Sequence, residues 1–283
     1  MALFSLLVAI MIERLKLLPQ AWQLETLLSF YVKAFFGRKQ LGNDLMMAMA
    51  LLLPAISVQV LAWFVSGMVW GIVSLVLWVT VAILCFSHLK QRQLFKQYIQ
   101  AACRGDAQAC YHFADALDPN ISIDAVSEED LGAKVGQTVA WLNYRFYGAV
   151  ALYLIFFGPA GAVLYCTARY FSDDAKAKGV ELPIVDSTLT LLDWLPSRLI
   201  AFGYVLSGHF SAAFSQWRHL AIDWTTSARE IVTEVALAAE TVETSSPTPI
   251  CVQSTISLLQ LSKRNFILLV TGLSLLTIFG VVV

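Results

Sequence analysis

No Asp, Glu, Lys, Arg or His occurs between Leu45 and Phe86. At about 1.5 Å of rise per helical residue, a helix of that length is roughly twice as long as the ~30 Å core of a bilayer is thick. The segment must cross and return. Ser66-Gly67 offers a turn near its middle, so the pattern predicts a transmembrane hairpin, Asp44 to Val65 and Met68 to Ser87, joined by an uncharged loop.

The rest of the composition agrees with a membrane chain. Of 283 residues, 58% are hydrophobic and 14% charged, with a mean hydropathy of +0.68, far too apolar for a soluble domain of this length. The formal net charge of -1 provides no basic field for a phosphate polymer, so nucleic acid is excluded as a partner. Five scattered cysteines, and four histidines of which no two are spaced to share one helix face, outline neither a disulfide framework nor a metal site. Met1 to Ile12 is apolar without a basic start and runs into Glu13-Arg14, which reads as a retained helix and not as a cleaved signal.

Charge asymmetry orients the hairpin. Arg14, Lys16, Lys33, Arg38 and Lys39 precede it and Lys90, Arg92, Lys96 and Arg104 follow it, which places both flanks in the cytoplasm. Beyond Asp118-Pro119-Asn120, a loop, the Ser127-Glu128-Glu129-Asp130 run is a helix start, and that helix continues through Trp141 into Asn143-Tyr144-Arg145-Phe146-Tyr147. Phe146 to Ala168 is a further uncharged run interrupted by Gly158-Pro159, either a kinked crossing or a re-entrant pair of half helices.

The expected organisation is therefore all-α and multi-pass. Residues 1–42 form an apolar helix and a basic segment, 43–87 the hairpin, 88–145 a cytoplasmic helical region and 146–170 the broken membrane segment. Residues 171–240 form an amphipathic helical region, 241–264 a Ser/Thr/Pro-rich linker and 265–283 a C-terminal crossing.

Few residues offer chemistry. Pro196 is suited to a first helical turn, so a helix is expected to begin there and to place Arg198 at its positive end. That placement calls for a carboxylate or an anionic ligand, and Asp193 is the nearest carboxylate in sequence. Arg145, beside Asn143, sits where a helix meets the bilayer, and there an interfacial arginine within an aromatic belt competes with a ligand contact. Glu13 has the same two readings. No Walker loop, dinucleotide fingerprint, zinc-protease helix or nucleophile elbow is present.

Several words occur in an order that resembles the AmpE family of inner-membrane proteins associated with β-lactamase induction. They are Glu13-Arg14, Trp22-Gln23-Leu24, Trp141 through Tyr147, Leu192-Asp193-Trp194-Leu195-Pro196-Ser197-Arg198-Leu199, Tyr204 and Gly208-His209. The chain also resembles, more distantly, the membrane cobinamide-phosphate synthases called CbiB or CobD, at Gly105-Asp106, at Trp194 through Leu199 and at the glycine-proline break. It departs from them at Trp141 through Phe146, where Trp141 and Arg145 stand in place of two carboxylates. Magnesium-nucleotide chemistry needs oxygen ligands, so the exchange argues against ATP-dependent amide formation.

The AmpE resemblance implies a regulatory multi-pass protein of the bacterial inner membrane, linked to β-lactamase induction and cell-wall recycling. With it comes the expectation of a small anionic ligand at a cytoplasm-facing site of Arg198, Asp193, Arg145, Asn143, Glu13 and Asp106. Its other partner is the lipid bilayer, with a homo-oligomer left open, and no cofactor is required. The alternative is an ATP-dependent amide-forming enzyme using magnesium, its metal held by residues such as Asp106, Asp118, Asp173 or Asp174.

Overall fold

A computed structural model describes residues 1–15, 22–35, 44–119, 127–240 and 249–280. Among these there is no strand. Lys16, Arg38, Lys39, Asn120, the 241–248 part of the expected linker and the last three valines lie outside the described residues.

The helices follow from composition and from their ends. They are α1 (Ala2–Leu15), α2 (Leu24–Phe35), α3 (Asp44–Val65), α4 (Ile72–Cys85), α5 (Leu89–Cys103) and α6 (Ala107–Leu117). After these come α7 (Glu128–Asn143), α8 (Ala149–Lys178), α9 (Pro183–Ser207), α10 (Phe210–Ile222), α11 (Ala228–Ala239) and α12 (Ile250–Ile278). Side-chain caps fix three starts: Asp106 accepts from the Ala109 N–H (3.0 Å), Ser127 from Asp130 (3.2 Å) and Ser227 from Glu230 (3.1 Å). Three acidic residues in the first turn of α7 complement its dipole, and α8 ends at left-handed Gly179 (φ 65°) with Lys176 and Lys178 in the last turn.

Among the described residues four helical runs are long and apolar enough to cross a membrane: Asp44–Val65, Glu128–Lys178, Pro183–Ser207 and Cys251–Ile278. A fifth is reached if Ile72–Cys85 and Leu89–Cys103 count as one bent span. The charge-free stretch is thus divided unequally. Gly67 and Gly71 (φ 85° and 84°) frame a 3₁₀ turn at Met68–Gly71, which leaves α4 with 14 residues where a helix from Met68 to Ser87 was expected.

By internal packing the chain forms two compact units: Met1–Ser87 with Phe146–Pro196 and Gly272–Val283, and His88–Arg145 with Ser197–Thr271. In the first unit α8 is the central element, with α3, α4, α1 and α2 against it and α1 also against α4. In the second unit α5 packs on α6, and α11 on α7 and α10. There Tyr98, Val135, Val139 and Leu131 form a core with Cys251 and Val252 at the start of α12.

Two sequence expectations are corrected by local physics. The first is a helix start at Pro196, whereas α9 runs through it. A proline inside a helix orphans the carbonyl four residues earlier, here Leu192. The Tyr153 hydroxyl donates to that Leu192 carbonyl at 2.7 Å and so removes the cost of continuing. The same device recurs in α3, where Pro54 frees the Ala50 carbonyl and the Tyr31 hydroxyl donates to it at 3.2 Å.

The second correction concerns residues 250–264 of the expected linker, which are helical. Ser254, Thr255 and Ser262 are buried there: Thr255 donates to the Gly132 carbonyl of α7 at 2.8 Å, and the Ser262 hydroxyl meets that of Tyr204 on α9 at 3.2 Å. Gly132 and Gly136 make the approach possible, since a Cβ on Gly132 would lie 2.6 Å from the Cys251 carbonyl oxygen. At Gly158 (φ 69°, ψ −164°) the backbone leaves helical geometry, so the Gly158-Pro159 break is real.

Two predictions follow from these contacts. Tyr153→Phe should destabilise the protein by about 1–3 kcal/mol, the cost of an unsatisfied buried carbonyl. In a Pro196→Ala background, which restores the backbone N–H, most of that loss should vanish when unfolding is followed in detergent. Gly132→Ala should cost about 1–3 kcal/mol by overpacking. Gly136→Ala should cost less, because its closest neighbour is the end of the flexible Leu258 side chain and not backbone.

Candidate functional site

In the first unit the buried polar side chains sit on helices that pack about α8. Glu13, near the end of α1 and 6% exposed, accepts a hydrogen bond from the Tyr147 hydroxyl at 3.0 Å. The Tyr147 ring lies tilted against Phe86. Asp193 on α9, 4% exposed, accepts from the Tyr165 hydroxyl at 3.0 Å. Tyr165 in turn stacks on Tyr153, the residue that donates to Leu192. Each carboxylate thus has a phenol as hydrogen-bond donor.

Arg169, 3% exposed on α8, places its guanidinium 4.0 Å from the centre of the Phe146 ring. A desolvated cation on an aromatic face is strongly attracted to it. Arg169 is not among the six residues expected at the site. The available signal was its position one residue past the uncharged run, since ionisable side chains inside membrane helices default to functional candidates.

The second unit holds the other four expected residues. Trp141 and Tyr144 stack (5.2 Å, 22° between planes), and the Arg145 guanidinium lies 5.7 Å from the Trp141 ring centre. Asn143 turns its amide back onto the Val139 carbonyl at 2.8 Å. Asp106 is exposed and caps α6.

Arg198 is not in a first helical turn. Its Nε donates to the Ala221 carbonyl at 3.1 Å and an Nη to the Asp223 carbonyl at 2.9 Å, so it caps the C-terminal, negative end of α10. Trp217 of α10 donates its indole N–H to the Arg198 carbonyl at 3.1 Å and locks α10 to α9 from the other side. The Asp223 carboxylate accepts from the Thr225 N–H and hydroxyl, and those bonds hold it below the usual carboxylate range.

The carboxylates considered as metal ligands are separately engaged. Asp118 pairs with Arg229 and accepts from Thr138 (3.2 Å), while Asp174 pairs with Lys178. Asp173 is exposed. Among the described residues no three His, Cys, Asp or Glu side chains gather in metal-binding geometry.

Comparison with known proteins decides the family. All of residues 1–283 match the family model described as "Regulatory signalling modulator protein AmpE". The chain belongs to the AmpE family. It is 28% identical over 299 residues to Protein AmpE of Shigella flexneri, a match that covers the whole of both chains. No solved structure matches it. In this AmpE-family chain the two most unusual words of the sequence, Trp141 through Tyr147 and Leu192 through Leu199, carry the aromatic–arginine stack and the Asp193 and Arg198 anchors.

The cysteines of the second unit differ in exposure, Cys103 being exposed and Cys110 and Cys251 buried. Burial pushes the Cys110 thiol up to about 11, so at neutral pH it is protonated and a poor nucleophile. Stability should be indifferent to this group below about pH 9. It should fall as pH rises from there to about 11, because the unfolded chain ionises its thiol first. A water-soluble maleimide at pH 7 should label exposed Cys103 and reach Cys110 only after unfolding, as read by intact mass.

Proposed function

We propose that the chain is a regulatory protein of the bacterial inner membrane that links β-lactamase induction to cell-wall recycling by binding a small anionic ligand. The observation that carries the regulatory part is the family match across all 283 residues. The ligand part rests on the second unit, where the Arg145 guanidinium lies 5.7 Å from the Trp141 ring centre and Arg198 adds a second guanidinium to the same unit. Arginine suits phosphate and carboxylate recognition because its planar fork matches the spacing of their oxygens.

In this reading Arg145 makes the ligand contact, Asn143 flanks it, and Arg198 supplies positive potential while holding α10. Asp106 keeps its role as a cap. Glu13 and Asp193, each held by a tyrosine hydroxyl, set the geometry of the membrane helices and do not touch the ligand.

The test is genetic and biophysical. In a strain lacking the native copy, wild type should restore the normal response of β-lactamase level to a β-lactam, and Arg145→Ala should not, at equal membrane abundance. Purified wild type in detergent should gain thermal stability with millimolar phosphate, and Arg145→Ala should not. If Arg145→Ala matches wild type in both assays, the anionic site at Arg145 is wrong. Magnesium-dependent ATP turnover by the same preparation should stay at background. Turnover abolished by Asp106→Asn would replace this reading with the amide-forming enzyme.

A further inference from the structure

A cavity of about 1050 Å³ opens within the first unit. It is bounded by α2, the start of α3, the end of α8 and the start of α9. Three of the runs long enough to cross a membrane therefore begin or end at it, which is where headgroups lie. It is larger than a metabolite pocket needs to be, at the top of the range of about 300–1,000 Å³ for small-molecule sites.

Its lining is amphipathic. Phe171, Val180, Leu182 and Ile184 supply apolar walls, whereas Lys33, Lys178, Asp44, Asp174 and Glu181 supply charge of both signs. Asp174 and Lys178 neutralise one another across one helical turn. Lys33 lines the same cavity as two further carboxylates, Asp44 and Glu181. Carboxylates in excess disfavour an anion, apolar walls disfavour a small polar ion, and one lysine among them suits a phosphate that carries its own ammonium. Beyond the cavity, α3 turns Leu45 and Met49 outward, 67% and 41% exposed, a path along which acyl chains can leave.

We infer that this cavity seats the headgroup of a zwitterionic phospholipid bearing a primary ammonium, that is, a phosphatidylethanolamine. The phosphate faces Lys33, and the ammonium faces Asp44 and Glu181. Three N–H donors on that ammonium distinguish it from a choline headgroup, which has the charge but cannot donate. This site is built from residues of the first unit alone and does not depend on the function proposed above.

The experiment uses the full chain in dodecyl maltoside micelles doped with one lipid at a time, all with the same acyl chains. Phosphatidylethanolamine should raise Tm and bind at least about tenfold more tightly than phosphatidylcholine, the size of effect a charge-assisted hydrogen bond supplies. The double variant Asp44→Asn/Glu181→Gln should erase that preference while leaving the lipid-free Tm unchanged, since both residues are exposed. Ala175→Phe, which projects into the cavity, should abolish binding of either lipid. Equal response to the ethanolamine and choline lipids, or an unchanged preference in the double variant, would overturn the assignment. So would a stronger response to phosphatidylglycerol, which marks an anion site, or to soluble phosphoethanolamine, which marks a metabolite site.

Discussion

In hydrocarbon no water is available to a backbone carbonyl that loses its helical partner, so every irregularity in a membrane helix must bring its own donor. The first unit is arranged around that constraint. Pro54 and Pro196 each lie in the interior of a long apolar helix, and each would leave a bare carbonyl one turn back. Tyrosines on neighbouring helices, Tyr31 on α2 and Tyr153 on α8, supply the missing hydrogen bonds. A tyrosine suits the task because its ring packs as a hydrophobe while its single hydroxyl reaches one oxygen. The kinks and the packing are consequently one feature, since a proline kink is tolerable only where the partner helix is already in place.

The second unit satisfies the same demand by close approach. Gly132 and Gly136 bring α7 against the backbone of α12, near enough for Thr255 to reach the Gly132 carbonyl. Gly203 does the same on α9, where Asn265 fits against the bare backbone and donates to the Ile200 carbonyl at 2.9 Å. Arg198 completes the set by satisfying two carbonyls at the end of α10. Small residues create proximity, and a polar side chain then uses it, which is how helices associate where the hydrophobic effect gives little preference.

The class of fold was legible because charge-free length is a one-dimensional property that a bilayer reads directly. The Gly158-Pro159 break was legible for a similar reason, since both residues act on their own backbone. What sequence order could not convey was which distant side chain would answer a local defect. Pro196 looks like a helix start unless Tyr153, far away in the chain, is known to sit beside Leu192. Ser254, Thr255 and their neighbours look like a linker unless two glycines on another helix are known to receive them. Arg198 was expected in a first helical turn with Asp193 or an anion as its partner, whereas it lies well inside α9 and its partners are main-chain carbonyls, which carry no residue-type signature.

The stretch from Trp141 to Arg145 shows the opposite case, in which the partners are local. Trp141 and Tyr144 are three residues apart and stack, and Arg145, four residues from Trp141, holds its guanidinium 5.7 Å from the indole centre. Tyr144 is buried, so the stack is anchored in the packed interior of its unit. The helix repeat alone brings these three side chains together, whereas Arg198 meets its carbonyls only because the fold carries the end of α10 to it.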